Sequence, residues 1–451
     1  MKPVLPLRLV AAAIFVFAVL APALVHAGAD GLFEEYGVSP RDTAMGNAGA
    51  GLANDYTAAY YDPAGLGFLH GSHLSLGYRG VYPYTFIHFN PSNGHNLGQS
   101  PSTDLFLLGL SSDLKFRRIV SPRITDRLGF GMALAFSQYM KSFTLFADPN
   151  TPYLFRYTDR PVSLMSVYMG LAVRIFSWFS FGGSMCLAPS ETYADVIAHT
   201  NIYVPSFRNE THQGMATRAW TKVVPVLGAM FRAPAMGRDD YLQLGLVWRD
   251  EVYTIDGSGE VTSVTRIVFE KTGETITVPN TTFALHQLSG YSPMQFTAAL
   301  GWNVTPRVHL AVDGIWKRWS MWLDGDENQP NPPFKDTFQV RLGYEQETQI
   351  NWAWIHDLIV RAGYYYEPSP VPDMNGRMNI LDPDKHVGSV GAGFRFADPL
   401  DIILTPIQFD LAYQLHWLVE ERLSNNHDPV YPPLTAGGQV HNFAATMNFE
   451  F

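Results

Sequence analysis

The sequence has a single cysteine, Cys186, so no internal disulfide can form, and its setting "FGGSMCLA" (181–188) is that of a small packing residue in a strand. Charge is scarce too. Only 16% of the 451 residues are Asp, Glu, Lys or Arg, against 47% hydrophobic and 14% aromatic, which is too little charge for the ordinary surface of a water-soluble protein. The formal balance of −10 excludes a basic nucleic-acid footprint. Past residue 28 there is no long apolar run: the most apolar window, 400–418, is broken by Asp401, Pro406, Gln408 and Asp410, which excludes membrane helices. The 14 histidines are scattered with no zinc spacing and no H-E-x-x-H, and no nucleophile elbow occurs. The chain therefore reads as a non-enzyme with no metal and no cofactor, an outer-membrane phospholipase or protease being the enzymatic alternative.

Lys2 and Arg8 precede an apolar run from Leu9 to Leu24 and the small-x-small triplet Val25-His26-Ala27, the pattern of a secretory signal peptide cleaved before Gly28. Loss of Lys2 and Arg8 with that leader moves the formal charge from −10 to −12. An exported, aromatic-rich chain without membrane helices is either a β-rich periplasmic protein, such as a large sandwich, or an outer-membrane β-barrel.

Alternation decides between them, because a barrel strand shows one face to lipid and the other to a lumen. In 306–319, Val308, Leu310, Val312 and Trp316 oppose His309, Asp313 and Lys317. In 338–345, Phe338, Val340, Leu342 and Tyr344 oppose Gln339, Arg341 and Glu345. The same division runs through 357–367 and 402–417, and further runs begin near 72, 103, 127, 161, 178, 216, 240, 287, 386 and 441. The expected fold is all-β: a transmembrane antiparallel barrel of about 14 strands. Trp316, Trp319, Tyr364 to Tyr366 and Trp417 gather near strand ends, as interface girdles do. Long polar segments at 191–214, 252–285, 321–335 and 421–440 alternate with short joins such as "NVTPR", and 252–285 contains a hairpin turning at Thr272-Gly273.

Residues 28–70 do not alternate. Gly and Ala crowd "GVSPRDTAMGNAGAGLANDYTAAYYDPAGL" (37–66), in which Ser39 can cap a short helix that has Pro40 in its first position and Asp42 in its first turn. A barrel this wide cannot be filled by its own side chains, so this compact stretch is read as an N-terminal hatch inside the lumen. The expected organisation is signal peptide 1–27, hatch 28–70, barrel 71–451.

That stretch resembles the hatch of the outer-membrane long-chain fatty-acid and aromatic-hydrocarbon transporters of the FadL/TodX type (OMPP1). "VDGIWKRWSMW" at 312–322 and "RAGYYYEPSPVPDMNGRMNILDPDKHVGSVGAGFRF" at 361–396 extend the resemblance. So does the ending "HNFAATMNFEF", where Phe443, Ala445, Met447, Phe449 and the final Phe451 share one face, like a strand recognised by the barrel assembly machinery. One departure is Asp62, where the family's turn has Asn; both residues begin Asx-turns, so the turn Asp62-Pro63-Ala64-Gly65 should survive.

The resemblance implies a monomeric outer-membrane channel of a Gram-negative bacterium, set among outer-membrane lipid and lipopolysaccharide. It would take up hydrophobic small molecules, long-chain fatty acids or alternatively aromatic hydrocarbons, through an apolar pocket, hatch movement and lateral exit at the third strand. There Gly129, Gly131, Ala133 and Ala135 share the inner parity, leaving room for hatch or ligand and permitting a kink. Inward parity also places Arg79, Arg174, Lys222, Arg249, Asp313, Lys317, Arg341, Arg361 and Asp410 in the lumen. The candidate ligand set is Phe33, Tyr36, Met45 and Tyr60 with the cations Lys317 and Arg361. Those cations either meet a ligand carboxylate or pair with acids such as Asp313, Asp410, Glu34, Glu35 and Asp55. A plugged adhesin or surface receptor and a water-filled porin are the competing functions. Phe451→Ala is expected to lower the amount of folded protein in the outer membrane severalfold, read by heat-modifiable gel mobility of isolated membranes.

Overall fold

The computed structural model describes residues 31–89, 96–97, 102–114, 127–136, 146–148, 151–155, 165–188, 200–204, 207–219, 222–234, 241–269, 275–323, 328–352, 354–372, 380–396, 407–423 and 434–451. The leader and Gly28 lie outside them. Fourteen strands form the wall. They are β1 (Ser72–Phe89), β2 (Thr103–Asp113), β3 (Leu128–Phe136), β4 (Met165–Phe176), β5 (Phe179–Ala188), β6 (Lys222–Pro234) and β7 (Tyr241–Arg249). The second half continues with β8 (Gln295–Thr305), β9 (Val308–Lys317), β10 (Thr337–Trp352), β11 (Ile355–Glu367), β12 (Lys385–Phe396), β13 (Ile407–Leu423) and β14 (Leu434–Glu450). Each pairs antiparallel with its neighbours in sequence, and β1 pairs with both β2 and β14, so the sheet closes. At the seam Phe451 N donates to Ser72 O at 2.8 Å and Ser72 N to Phe451 O at 3.2 Å.

Alternation sorts the wall as expected. Phe338, Val340 and Leu342 are exposed on the outside while Gln339, Arg341 and Glu345 between and beside them are buried inside. Trp352 and Trp354 mark one rim and Trp417 the other. Trp319 departs from the girdle: it is buried beyond the strands against Tyr291 and Phe334.

The connections give the barrel two unlike ends. Tight joins at 177–178, 306–307 and 353–354 share one end with both ends of the barrel chain, and the connections 137–164, 189–221 and 250–294 share the other. Part of these long connections is folded. Strands 200–204, 207–219, 252–269 and 275–292 make a separate four-stranded sheet, and 252–292 is one hairpin, from Val252↔Ser292 to Val268↔Thr275. The wall strands read as starting near 216 and 287 start instead at Lys222 and Gln295. Period 2 marks a strand equally well within the wall and beyond it, so alternation alone cannot place the boundary. The turn expected at Thr272-Gly273 lies outside the described residues.

Residues 31–70 sit inside. Helices α1 (Gly31–Tyr36), α2 (Pro40–Ala44) and α3 (Ala58–Tyr61) and a 3₁₀ turn (Pro63–Phe68) are largely buried. α2 packs on β11 to β14, whereas α3 and the 3₁₀ turn pack on strands between β2 and β6, so the segment crosses the lumen. Ser39 caps α2, its hydroxyl accepting from Asp42 N at 3.2 Å, with Pro40 in the first turn. Asp62 caps the 3₁₀ turn, Oδ1 accepting from Ala64 N at 2.9 Å, so Asp serves in the turn as Asn would.

β3 seats this turn. A Cβ at Gly129 would overlap the Leu66 carbonyl oxygen, and one at Gly131 would press on the Leu66 side chain. Ala133 and Ala135 beyond them are fully buried. β3 pairs without a register shift on both sides, with β2 from Gly129 to Phe136 and with β4 from Leu128 to Phe136. Gly129→Val should therefore unseat the 3₁₀ turn and cost about 1–3 kcal/mol by overpacking. Gly388→Val, at a position where a Cβ meets nothing within 4 Å, should stay within about 0.5 kcal/mol of the parent. Thermal loss of the compact gel form compares the two.

Candidate functional site

The densest polar arrangement in the lumen centres on one carboxylate, Glu34 of α1. Lys317 Nζ, from the end of β9, lies 2.8 Å from its Oε1, as does Arg341 Nη2 of β10. Arg249, at the end of β7, approaches Oε2 at 3.5 Å, and the Tyr60 hydroxyl donates to the same oxygen at 2.6 Å. Both oxygens are thus shared among cations from three strands. Burial raises the Glu34 carboxyl, but Lys317, Arg341 and Arg249 overcome that and hold it well below the usual carboxylate range. Lys317 also meets Glu367 at 3.2 Å, and Lys385 meets Asp382 at 3.3 Å and Glu367 at 3.7 Å.

An aromatic cluster adjoins these charges. Phe33, Tyr60 and Tyr168 of β4 pack ring against ring, with centroids 5.6, 5.8 and 5.0 Å apart. The Arg249 guanidinium lies 4.0 Å over the Tyr60 ring, and its Nη2 donates to Tyr60 O at 2.8 Å. Lys317 and Arg249 end their strands on the long-connection side, so this buried apolar and cationic cluster lies towards that end of the lumen.

A second network crosses the lumen towards the short-turn end. Arg41 of α2 grips Glu345 through two bonds of 2.8 and 2.9 Å, and Arg361 reaches Glu345 and Asp410 at 2.6 Å each. Gln408 and Asn448 also donate to Asp410. Arg41, Asp55, His309, Glu345, Arg361 and Asp410 border a polar cavity of about 420 Å³. An apolar molecule moving straight down the axis would have to part charges held in fixed pairs.

Of the residues singled out from sequence, Phe33, Tyr60 and Lys317 come together, with Tyr36 close by against His416, ring centroids 5.5 Å apart. Met45 lies elsewhere, with Ala48, Leu52 and Ala311, and Arg361 belongs to the lower network. Lys317 and Arg361 are both paired with carboxylates. Asp313 accepts from the Ala50 amide at 3.0 Å, and Asp55 caps the backbone and hydroxyl of Thr57. Arg174, expected inside, is half-buried, and the side chain of Lys222 lies outside the described residues. Sequence reasoning missed Tyr168 and the central position of Glu34. Tyr168 was findable by parity, since it shares the inward face of β4 with Ser166 and Ala172.

The pattern of the outer membrane protein transport proteins (OMPP1/FadL/TodX) matches residues 20–451. The chain belongs to this family. The transporter's fold is shared with a Pseudomonas aeruginosa FadL homologue and with the P. putida toluene transporter TodX, each at TM-score 0.55 and 14% identity over 92% of this chain and 98% of the other. The CymD monoaromatic hydrocarbon channel superposes at TM-score 0.52 with 14% identity, over 95% of this chain and 99% of the other. At that identity the likeness establishes the fold alone. No curated protein matches the chain as a relative. The transporter is thus an outer-membrane barrel for hydrophobic compounds and not an enzyme.

Asp62 stands in an unusual electrostatic position on the N-terminal segment. It is fully buried, and its Oδ2 has no hydrogen-bond partner among the described residues. Burial pushes its carboxyl up to about 8 against the pull of the Ala64 amide, and the Asp313 charge adds to the rise. The folded protein therefore keeps a proton that the unfolded chain, at the ordinary carboxyl value near ~4, has lost. Stability contributed by this group falls as pH rises from about 4 towards about 8. Asp62→Asn should remove that part of the slope, so that thermal midpoints at pH 5.5 and 7.5 differ less in the variant than in the parent.

Proposed function

We propose that this transporter takes up long-chain fatty acids, and that its ligand site is formed by Phe33, Tyr60 and Tyr168 beside Arg249, Lys317 and Arg341. The observation that carries this reading is the direct juncture of the aromatic cluster with three cations at the long-connection end of the lumen. An alkyl chain gains about 25 cal/mol per Å² of apolar surface removed from water, and a carboxylate gains charge-assisted hydrogen bonds. A neutral hydrocarbon uses only the apolar half.

In the proposed route, residues 28–70 act as a hatch that must shift before a ligand leaves. Exit is sideways through the wall, because the axial route ends in the Arg41–Glu345–Arg361–Asp410 network. Gly129, Gly131, Ala133 and Ala135 of β3 line the hatch seat, and opening at that strand requires its ladder to part or lies beyond Phe136. The proposal includes a monomer folded by the assembly machinery among outer-membrane lipid and lipopolysaccharide. Aromatic hydrocarbons are the second reading, favoured by the ring-lined half of the site.

Cells carrying the protein should accumulate a fluorescent long-chain fatty acid severalfold faster than cells lacking it. Lys317→Met removes a charge-assisted bond worth ~1.5–3 kcal/mol and should lower affinity for the acid about tenfold or more, with toluene uptake unaffected. Equal uptake with and without the protein, and no fatty acid co-purifying by mass spectrometry, would sink the fatty-acid reading.

A further inference from the structure

We propose that the short-turn end of the wall carries a lipid-headgroup site. The notch over the Ser177–Trp178 turn binds the phosphate of an anionic phospholipid from the periplasmic leaflet, on Arg232 with Arg127 and Arg174, and the acyl chains rest on the aromatic rings outside. The site is separate from the lumen cluster around Glu34 and does not depend on which hydrophobic compound the transporter carries.

Inward-facing cations elsewhere in the barrel are engaged. Arg41, Arg249, Lys317, Arg341 and Arg361 each meet a carboxylate, and Arg79 donates to Gly37 O and to the Thr43 hydroxyl. Arg232, near the end of β6, differs. It shares the inward face of β6 with Met230, and its guanidinium lies 4.3 Å over the Phe68 ring and 4.8 Å over the Tyr241 ring. Phe68 is itself fixed, packed with Ala64 and Met230. Among the described residues no carboxylate acts on the Arg232 guanidinium, and its Nε is buried without a hydrogen-bond partner. Two rings hold the plane of the group, and a guanidinium so held presents its N–H fork to an acceptor of matching shape, such as phosphate. A buried donor left unpaired is costly, which sets Arg232 apart from a solvated rim charge.

The rim is low at this point. Arg232 N donates to Trp178 O at 2.8 Å, so Arg232 is level with the turn joining β4 to β5, although β6 runs on to Pro234. On the other flank Arg174 N donates to Arg127 O at 2.8 Å, and Arg127 Nη1 donates to Ile175 O at 2.9 Å. Arg127 is exposed and Arg174 half-buried. Arg174 and Arg232 stand on β4 and β6, either side of β5, and the Arg174 charge acts on Arg232. Like charges held this way repel, and a shared anion relieves the repulsion. The sequence adds charge of the same sign: between residues 115 and 127, Lys115, Arg117, Arg118, Arg123 and Arg127 stand against the single acid Asp126, in a chain of formal charge −10.

Outside the notch the surface is aromatic. Phe176 and Trp178, 52% and 51% exposed, stack with centroids 5.2 Å apart, and Trp178 and Phe179 lie against Phe231 at 6.2 and 4.7 Å. Exposed rings at a barrel rim mark the level of lipid headgroups. Phe231 and Arg232 are consecutive in β6 and so point to opposite faces of the wall. A lipid with its chains on Phe231 and its phosphate across the low turn therefore meets Arg232. The short-turn end lies in the periplasmic leaflet, which is built of phospholipid. A zwitterionic headgroup would bring its ammonium into a notch of like charge, whereas a headgroup of net negative charge brings none.

The test uses the full-length purified protein in an uncharged detergent, with native mass spectrometry reading the lipid retained. The first measurement needs no substitution: the parent should bind phosphatidylglycerol at least about fivefold tighter than phosphatidylethanolamine. Glycerol 3-phosphate and inorganic phosphate, added at the lipid's concentration, should not displace it. Arg232→Gln should then lower the affinity for phosphatidylglycerol about tenfold and leave that for phosphatidylethanolamine unchanged. Arg307→Gln, at the short turn between β8 and β9, should change neither. Heat-modifiable gel mobility confirms that both variants are folded. Equal retention of the two lipids by the parent overturns the proposal, as does unchanged phosphatidylglycerol binding by folded Arg232→Gln. Full displacement of the lipid by glycerol 3-phosphate or inorganic phosphate also overturns it, because the notch would then take free phosphate and not a membrane lipid.

Discussion

A strand in lipid cannot leave a backbone amide or carbonyl unpaired, and the closure of the sheet through β1 follows from that constraint. The exchange of hydrogen bonds between Ser72 and Phe451 begins a ladder that continues along β14 to Phe89. On its other side β1 meets β2, so no edge is left on the wall. Closing at fourteen strands sets the lumen's width. A lumen of that width is too broad to be filled by side chains pointing inward from opposite walls. The occupied interior, the small residues lining it and the charges across it all descend from that one number.

The filling is backbone laid against backbone. Where the 3₁₀ turn approaches β3, β5 and β6, the wall supplies Gly129, Gly182 and Gly228, because any Cβ there would overlap Leu66, Pro63 or Asp62. Packing this close leaves few side-chain donors free to satisfy the short, turn-rich segment, so polar wall residues reach its main chain instead. Ser389, Asp313, Asn442 and Arg249 do so from four different strands. The N-terminal segment is held as a wired insert whose ties differ in strength along its length.

Charge in the lumen is arranged in two tiers. Towards the short turns, Arg41, Arg361, Glu345 and Asp410 form a chain of paired opposite charges whose members face one another. Towards the long connections, several cations converge on Glu34 beside aromatic rings. The same residue types thus perform different work at different depths. In the first tier each acid comes from the wall and fixes it; in the second the central acid is carried by α1 and meets cations from three wall strands.

Alternation in 338–345 and 357–367 revealed the wall because the period of a strand's faces is a local property, independent of which strand lies alongside. The Ser39 cap and the Asp62 turn were legible for the same reason: each is completed within three residues. The outer sheet of 207–219 and 252–292 was misread at its borders, since a period of two carries no mark of where lipid ends. Glu34, Tyr60, Tyr168, Arg249, Lys317 and Arg341 could be assigned to the lumen one by one, but their meeting could not be foreseen. By itself the sequence determined a closed, two-faced barrel with a compact N-terminal insert, through interactions a few residues long. Only the tertiary structure decided which lumen charges share a partner, because that depends on strand register and barrel curvature, which bring together residues far apart in the chain.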